Sequence, residues 1–284
     1  MQPTCTYSRL PELQGLQDFL PISLSDMDSV HLLNRVDCKY ALHISQLPGL
    51  LCRLAAHYQV LEIDNRRFFR YSTAYFDTPD LLLYQAHHNG RSNRIKIRCR
   101  QYLDTGQCFF EVKQKLPGNR THKLRYELDA PLTALDEKAS TTVRQQFQRQ
   151  PLNDLALSLY NTFSRTTLVN PHLGERCTID LNINFQSPDG RTATAADLVV
   201  VEIKQAHTNP LSPMIQALRK ESIFPCSFSK YIYGLMHTRP ALKHNAFKPL
   251  LHRLEKIKNR FTPPSHPCPT TPLFHQHEEN PGAL

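Results

Sequence analysis

The sequence predicts an α+β fold in which helices are inserted between the strands of one antiparallel sheet or barrel. Many short segments with strand-like alternation follow one another, and turn sequences such as DTGQ at 104–107 and LPGN at 116–119 join several of them. Six of these segments also share one design, with charged or polar residues at every second position and apolar residues between them.

Length and charge limit the class of protein. The 284 residues suggest one large domain or two small ones, and 34 Lys and Arg against 25 Asp and Glu make the chain basic. This balance favours a polyanionic partner, such as nucleic acid, an anionic membrane or a phosphate compound. The N-terminus lacks a long apolar segment, and the most apolar stretch, LVVVEI at 198–203, is too short to span a bilayer, so we expect a cytoplasmic protein. The eight cysteines form no CxxC pair, and we expect reduced, mostly buried thiols.

The predicted elements begin with a partly helical lead-in at 1–29. Strand-like alternation then predicts strands at 32–42, 58–64, 67–77, 94–103, 107–115, 120–129, 163–169, 175–186 and 195–204. Helical patterns are found at 46–57, with Ser45 as N-cap and Pro48 in the first turn, and at 141–150, 152–162, 212–221 and 229–238. The basic segment 241–261 could be helical, whereas the Pro-rich tail 262–284 lacks periodicity and is predicted to be disordered.

The segment RSNRIKIRCRQY at 91–102 shows the shared design most clearly. Its cationic residues recur at every second position, so they would share one face of a strand. They are Arg94, Lys96, Arg98 and Arg100, and the opposite face holds Ile95, Ile97 and Cys99. The corresponding faces of the other five strands hold Arg35, Asp37 and Lys39; Glu111, Lys113 and Lys115; Lys123, Arg125 and Glu127; Asp180, Asn182 and Asn184; and Glu202 and Lys204.

Two architectures fit this alternation. In the first, a half-open sheet packs its apolar face on helices, and the charged face is simply solvated. In the second, the sheet curls so that the charged faces point inward and helices cover the outside, which makes a barrel with a polar lumen. Four neighbouring cations repel one another, at roughly 4 kcal/mol per pair for charges ~4 Å apart at an effective dielectric near 20. Because a merely solvated face usually mixes its signs, the excess of cations favours an inward face that a polyanion neutralises.

The presence of carboxylates on this cation-rich face needs a separate explanation. Hard oxygen ligands beside bound phosphates suggest a divalent metal that bridges carboxylate and phosphate. Some of these carboxylates could instead only balance the neighbouring cations. The candidates for a metal ligand are Glu111, Glu127 and Glu202.

Several motifs, in order along the chain, resemble those of one family. They are Arg35-Val-Asp-Cys-Lys39-Tyr40, Tyr75-Phe-Asp-Thr78 followed by Tyr84, Arg94-x-Lys96-x-Arg98-x-Arg100-x-Tyr102, Glu111-Val-Lys113, Lys123-x-Arg125-x-Glu127, Val200-Val-Glu202-Ile-Lys204 and Phe228-Ser-Lys230-Tyr231. Together they resemble the VTC (vacuolar transporter chaperone) domain, the polyphosphate polymerase branch of the CYTH-like triphosphate tunnel metalloenzymes. The resemblance covers residues 30–240.

This resemblance implies a closed antiparallel tunnel of about eight strands with a charged lumen and helices packed outside. It also implies a phosphotransferase that binds ATP and polyphosphate, uses Mn²⁺ or Mg²⁺ and releases ADP. The residues at positions that match the family's motifs would have the corresponding roles. Arg98, Arg100, Lys113, Arg165 and Lys230 would be the catalytic phosphate ligands; Lys39, Arg125 and Ser229 would add phosphate contacts; and Glu202 would be the principal metal ligand.

Further cations share the predicted face and are assigned to phosphate binding as well. They are Arg94, Lys96, Lys115, Lys123 and Lys204. Arg94 and Lys96 lie nearer a strand end and could only help to draw the anion in. At position 163 the family pattern leads us to expect Tyr, so Phe163 puts one hydroxyl contact to phosphate in doubt.

Other functions remain open at this stage. The same fold also supports inorganic or nucleoside triphosphatases, although the first strand carries one carboxylate, Asp37, where those enzymes usually carry a repeated-glutamate motif. A non-catalytic module that binds polyphosphate or another polyanion is the third possibility. The sequence shows no helix-turn-helix, zinc finger or RNP motif, so specific nucleic-acid recognition is not expected. It indicates no membrane partner either.

Overall fold

A computed structural model describes residues 11–28, 35–116, 121–147, 152 and 154–261. The predicted tail at 262–284 and the first ten residues of the lead-in lie outside these ranges. The strands are Leu20–Ile22 (β1), Val36–His43 (β2), Gln59–Leu61 (β3), Phe69–Asp77 (β4), Arg94–Tyr102 (β5), Cys108–Lys115 (β6), Thr121–Leu128 (β7), Ala156–Asn170 (β8), Glu175–Gln186 (β9), Thr192–Ala195 (β10) and Leu198–Gln205 (β11).

Helices occupy seven of the connections and ends in the described part of the chain. They are Leu24–Asp28 (α1), Leu47–Leu54 (α2), Leu82–His88 (α3), Glu137–Gln146 (α4), Pro213–Lys220 (α5), Lys230–Thr238 (α6) and Lys248–Phe261 (α7), with 3-10 segments at Pro11–Asp18, Ile44–Gln46 and Asn245–Phe247. None of the described helices combines the length and the apolar character that a membrane crossing requires.

The main sheet is antiparallel and runs in the order β2-β11-β9-β8-β4-β5-β6-β7. In a flat sheet, the six steps from β2 to β6 would separate these strands by about 29 Å. Lys113 of β6 nevertheless lies 3.7 Å from Asp37 of β2. The sheet must therefore curl with its charged residues on the inside, and we call this inner side the concave face.

The predicted α+β class with an antiparallel sheet is confirmed. Closure into a barrel is not seen, because the pairing path ends at β2 and β7 and no ladder joins these two strands in the described residues. An isolated bridge from Tyr40 to Pro225 covers a part of the free edge of β2. The sheet is therefore curled, but backbone pairing does not close it.

Two apolar layers cover the convex side of the sheet. Residues of β5 and β6, including Ile95, Ile97 and Cys99, pack with Ala139 and Val143 of α4. Around β2, β11 and β9, a second layer joins the strands to α2 and α5. The predicted outward packing of Ile95, Ile97 and Cys99 is thus confirmed.

Helices also lie on the concave side, contrary to the prediction that they would all pack outside. Tyr231, Ile232 and Leu235 of α6 share a buried cluster with Tyr71 and Phe163, whose side chains lie beside lumen cations. Leu254 of α7 belongs to the same cluster. Helix α6 therefore fills the apolar part of the concave face and leaves the charged part open.

Strand β9 shows how the concave face comes to have an apolar part. The sequence predicts Asp180 and Asn182 on one face and Ile183 and Phe185 on the other. Asn182 instead adopts a left-handed φ of 53°, and the β8–β9 register shifts beside it. This bulge reverses the alternation, so Ile183 and Phe185 join the concave cluster under α6.

The helix predicted at 152–162 is wrong. β8 runs unbroken through Ala156–Asn170 and pairs with β4 on one side and β9 on the other. Its first half combines apolar positions with Tyr160 and Thr162, and these residue types favour strands once neighbours are available on both sides. The helix predicted at 141–150 begins earlier, because Asp136 caps α4 by accepting a hydrogen bond from the Ala139 amide (2.7 Å).

Helix α3 was not predicted, since the alternation of β4 gives no sign of it. Leu81 adopts a left-handed φ of 59°, and the buried Asp77 carboxylate accepts hydrogen bonds from the amides of Leu83 and Tyr84 (both 2.9 Å). Asp77 also accepts a hydrogen bond from the Tyr231 hydroxyl, so the predicted Tyr75–Thr78 motif joins α3 to α6.

We expect Gly234→Ala to lower the free energy of unfolding by about 1–3 kcal/mol, as overpacking of a core usually does. A Cβ at this position would lie 2.6 Å from Leu159 Cδ2 and 2.9 Å from Phe185 Cγ, because α6 packs tightly on the concave face. The measurement is urea unfolding of both proteins.

Gly49→Ala in α2 is the matched control. Its Cβ would meet only the mobile end of Arg53, at 3.7 Å. A helical Gly→Ala change should then stabilise the protein by up to about 1 kcal/mol. Equal effects of the two changes would show that α6 does not pack as described.

Candidate functional site

The concave face brings together the side chains that the sequence placed on one face of each strand. The β5–β6 register sets Arg98 opposite Glu111 and Lys96 opposite Lys113. The β6–β7 register continues these rows with Arg125 and Lys123. Across the sheet, Glu202 of β11 lies opposite Lys39 of β2. The candidate site is therefore a charged concave surface, built from most of the strands of the sheet.

Glu111 is the centre of one ionic cluster and is only 3% exposed. Arg98 Nε donates to its Oε2 (2.7 Å), Arg98 Nη2 lies 2.6 Å from the same oxygen, and Lys123 Nζ lies 2.7 Å from Oε1. Arg125 Nε is more distant, at 3.8 Å. Burial alone would raise the pKa of Glu111, but Arg98, Arg100 and Lys123 outweigh it and hold the pKa well below its usual range.

Asp180 is the centre of a second ionic cluster, on β9. Arg165 binds it with two hydrogen bonds, from Nε (2.6 Å) and Nη2 (2.8 Å), and Lys230 at the start of α6 donates to the same carboxylate. Burial lowers the pKa of Lys230 to about 8 even though Asp180 opposes that shift. Lys230 is therefore mostly charged at neutral pH. Asp180 stabilises this charge, but not enough to offset the cost of burial.

Phe163 lies under these cations in place of the expected Tyr. Its ring stacks on Tyr71, with centroids 5.0 Å apart. Lys230 Nζ lies 4.2 Å from the Phe163 centroid, and the Cζ atoms of Arg165 and Arg100 lie 5.3 Å and 5.7 Å from it. The ring supports three cations through its π face, so it contributes to the site without a hydroxyl.

Glu202 is held more loosely than the other two buried carboxylates. Its ion pairs with Lys204 (3.2 Å) and Lys39 (3.6 Å) are longer than the shortest pairs of Glu111 and Asp180. Burial opposes ionisation of Glu202, yet Lys204 and Lys39 still keep its pKa well below the usual range. Glu202 is thus ionised, and its oxygens still have lone pairs that could bind a cation.

Lys96 and Arg100 carry positive charge for which the described residues provide no ion pair. Lys96 Nζ donates to the Ser229 hydroxyl (3.1 Å), and burial together with Lys39 and Lys113 lowers its pKa well below the usual range. Arg100 is 9% exposed, and its buried Nε has no hydrogen-bond partner in the described structure. An anion that contacted both side chains would supply an ion pair to Lys96 and a hydrogen-bond acceptor to Arg100 Nε.

The N-terminus of α6 faces the same region. Ser229 is its N-cap and accepts from the Ile232 amide (3.5 Å), while Lys39 Nζ donates to the Phe228 carbonyl (3.3 Å). The free amides at a helix N-terminus add positive potential beside Lys39 and Lys96. The predicted Phe228–Tyr231 motif therefore carries a helix cap as well as a cation.

The remaining predicted residues lie at the ends of the concave face. Arg94 and Lys115 are opposite each other at one end of the β5–β6 ladder, and Lys204 is buried beside Glu202. Glu127 is exposed on the edge strand β7, opposite Phe109.

His87 lies in the last turn of α3. It is half-buried and edge-on to Phe247, and its Nδ1 is buried without a hydrogen-bond partner in the described structure. Burial and the nearby Lys96 and Arg94 lower its pKa to about 3. It is a neutral side chain beside the cations, and no sequence pattern indicated it.

The donors available to a divalent cation are few. The described residues contain no group of three or more His, Cys, Asp or Glu side chains that could hold a metal ion. The Glu111 oxygens are in short ion pairs with Arg98 and Lys123, and Glu127 is exposed. The Glu202 oxygens make longer ion pairs, with Lys204 and Lys39, and so are more accessible to a metal ion. The residues therefore fit an ion bound by one carboxylate that completes its shell with phosphate oxygens and water, as Mg²⁺ commonly does. The assignments of Glu111 and Glu127 as metal ligands stay predictions.

The sequence model of the VTC domain family matches residues 34–238. This span is well over half of the chain, and it contains all the ionic clusters described above. The chain belongs to the VTC domain family, as its motifs predicted. A search of the curated proteins returned no match.

Solved structures with similar folds share little sequence with the chain. A candidate adenylyl cyclase from Hippeastrum, described as having a dominant triphosphatase activity, is 13% identical with a TM-score of 0.41, and the match covers 74% of this chain and 100% of that one. A candidate adenylate cyclase from Bacillus halodurans is also 13% identical, with a TM-score of 0.41 and coverage of 69% and 96%. A protein from Pyrococcus horikoshii is 11% identical, with a TM-score of 0.41 and coverage of 72% and 99%. These similarities are too distant to assign any property of those proteins to this chain.

We expect Glu111→Gln to lower the free energy of unfolding at neutral pH by about 2 kcal/mol, because it removes the ion-pair partner of the half-buried Arg98 and of the more exposed Lys123. A carboxylate with a depressed pKa stabilises the folded state above its unfolded pKa, which is near 4, and this stabilisation is lost as the pH falls further. Urea unfolding between pH 7 and pH 2 should therefore show a shallower loss of stability for the variant than for the parent protein.

Asp189→Asn is the control, since it breaks an exposed ion pair with Arg191 and should change stability at neutral pH little. Equal losses for Glu111→Gln and Asp189→Asn would contradict the role of Glu111 as an ionic centre.

Proposed function

We propose that the chain is a polyphosphate polymerase, a metal-dependent phosphotransferase that moves the γ-phosphate of ATP onto a growing polyphosphate chain and releases ADP. The main support is the uncompensated charge of Lys96 and Arg100 on a curled, cation-rich surface. Cations this close repel one another, and an anion bound among them would relieve the repulsion. Membership of the VTC domain family supports the same substrate class.

In this proposal the chain's own residues align and neutralise the phosphates. Phosphoryl transfer requires little covalent chemistry from a protein, and most catalysis comes from positioning and from stabilising charge on the transferred group. Arg98, Arg100 and Arg165 are held by carboxylates or aromatic rings in fixed orientations, so little reorganisation accompanies binding. Lys39, Lys96 and Ser229 would hold the neighbouring phosphates at the N-terminus of α6.

Glu202 would hold the divalent ion, Mn²⁺ or Mg²⁺, which when bound supplies positive charge to the phosphate oxygens. The acceptor in polymer growth is a terminal phosphate, which is already an anion and needs no strong general base. The absence of a well-placed catalytic His or Cys among the described concave residues is consistent with this chemistry. Lys113 and Lys230 would add charge at the two sides of the reacting phosphates.

The direct test is to incubate the purified protein with ATP and Mn²⁺. We expect ADP and a ladder of polyphosphate on a gel. Free phosphate without a ladder would instead indicate a triphosphatase of the same fold. Tight, salt-sensitive binding without turnover would indicate a polyanion-binding module.

We expect Glu202→Gln to reduce turnover at least about tenfold, because it removes the negative charge that would hold the metal. Binding of tripolyphosphate measured without metal should persist in this variant. Arg98→Ala should weaken both turnover and metal-free binding, since Arg98 would touch phosphate itself.

The matched control is Glu221→Gln, which breaks an ion pair with Arg53 away from the concave face and should leave both measurements unchanged. If Glu202→Gln and Arg98→Ala kept the turnover of the parent protein, the concave face would not be the active site.

A further inference from the structure

A cluster of aromatic and cationic side chains lies on the concave face at the ends of β5 and β6, away from Arg94. Arg125 Cζ lies 3.6 Å from the centroid of the Phe109 ring and 5.8 Å from that of Tyr102. The two rings meet edge to face with centroids 5.7 Å apart, and Arg125 Nη2 donates to the Tyr102 hydroxyl (3.4 Å). We call Tyr102, Phe109 and Arg125 the mouth cluster.

The mouth cluster lies at the margin of the concave apolar cluster, against which Tyr102 packs. Tyr102 and Phe109 are half-buried, and Arg125 is exposed. Most of the other concave positions on β5 and β6 carry cations or carboxylates, so two accessible rings there are unusual. Arg125 Cζ lies over the Phe109 ring, whereas the Arg125 Nε atom is 3.8 Å from Glu111. A guanidinium on a ring offers a flat, cationic surface to which another planar group can stack.

The cluster also has a fixed position relative to the candidate phosphate ligands. The β5–β6 register places Phe109 directly opposite Arg100, whose buried Nε has no partner in the described structure. Arg98 follows two residues along the strand, about 6.7 Å further on. A planar group on the cluster would therefore direct a phosphate chain attached through a ribose toward Arg100 and Arg98.

We propose that the mouth cluster binds the purine base of a nucleoside triphosphate by stacking. This inference rests on the proposed function, in which ATP is the phosphate donor. Polyphosphate has no planar group and gains nothing from stacking. The cluster would thus favour the nucleotide at this end of the concave face and leave the opposite end, near Arg94 and Lys115, to the polymer.

The test compares ATP with tripolyphosphate, which has the same number of phosphates and no base, by titration calorimetry in the presence of Mn²⁺. Phe109→Leu keeps an apolar side chain but removes the ring. We expect it to raise the Kd for ATP about tenfold and to change the Kd for tripolyphosphate less than about twofold. Phe109→Trp keeps a ring and should bind ATP at least as tightly as the parent protein.

Phe224→Leu is the matched control, because Phe224 is an exposed ring outside the concave face and its loss should leave both dissociation constants unchanged. An equal shift for ATP and tripolyphosphate in Phe109→Leu would mean that the ring only supports the fold, and no shift for ATP would mean that it does not meet the base. Either result would overturn the inference and leave the proposed function standing. Failure of the parent protein to bind either ligand would instead contradict the proposed function itself.

Discussion

Electrostatic repulsion among lysines and arginines on one curved surface is the constraint on which the rest of this structure depends. Three carboxylates counter it, and each contacts two or more cations: the buried Glu111 on β6 and Asp180 on β9, and the half-buried Glu202 on β11. They do not remove it, because Lys96 and Arg100 remain without an ion pair in the described residues. The folded protein therefore retains an unmet requirement for negative charge at a defined place.

The division of the concave face into a charged part and an apolar part follows from the same constraint. Helix α6 covers apolar residues along most of its length, and only its first residues reach the cations. Gly234 allows the close approach that this position requires. Ser229 and Lys230 then lie at the boundary, where a helix N-terminus and a cation act on the same region. Packing of one helix thus both completes a core and contributes to the site.

The parts of the fold that the sequence predicted well are those governed by local periodicity. The alternation of β5 persists over its whole length, so the orientations of Arg98 and Ile97 could be predicted without knowledge of their neighbours. The same reasoning failed for strand β9. Its two faces are exchanged at Asn182, which has a left-handed φ, and no sequence pattern indicates this change. The first half of β8 resembled a helix because its strand character comes from pairing on both sides, which a single segment does not reveal.

The candidate site was predictable in composition but not in its connections. The sequence indicated which cations face inward, but the distinction between the tightly paired Glu111 and the loosely paired Glu202 depends on residues far apart in the chain. The surroundings of His87 and the contact between the Tyr102 and Phe109 rings were missed for a similar reason, because their positions are set by α3 and by the register of two ladders. Long-range geometry, rather than residue type, separates these roles.

The free edges of β2 and β7 leave the width of the concave face to be set by side-chain contacts. Because no ladder joins these strands in the described residues, side-chain contacts hold β2 to the rest of the concave face: Asp37 pairs with Lys113 of β6, and Lys39 donates to the Phe228 carbonyl beside α6. Such a half-exposed pair is worth little and is weakened by salt. The spacing between β2 and β6 therefore depends on side-chain contacts and not on backbone hydrogen bonds.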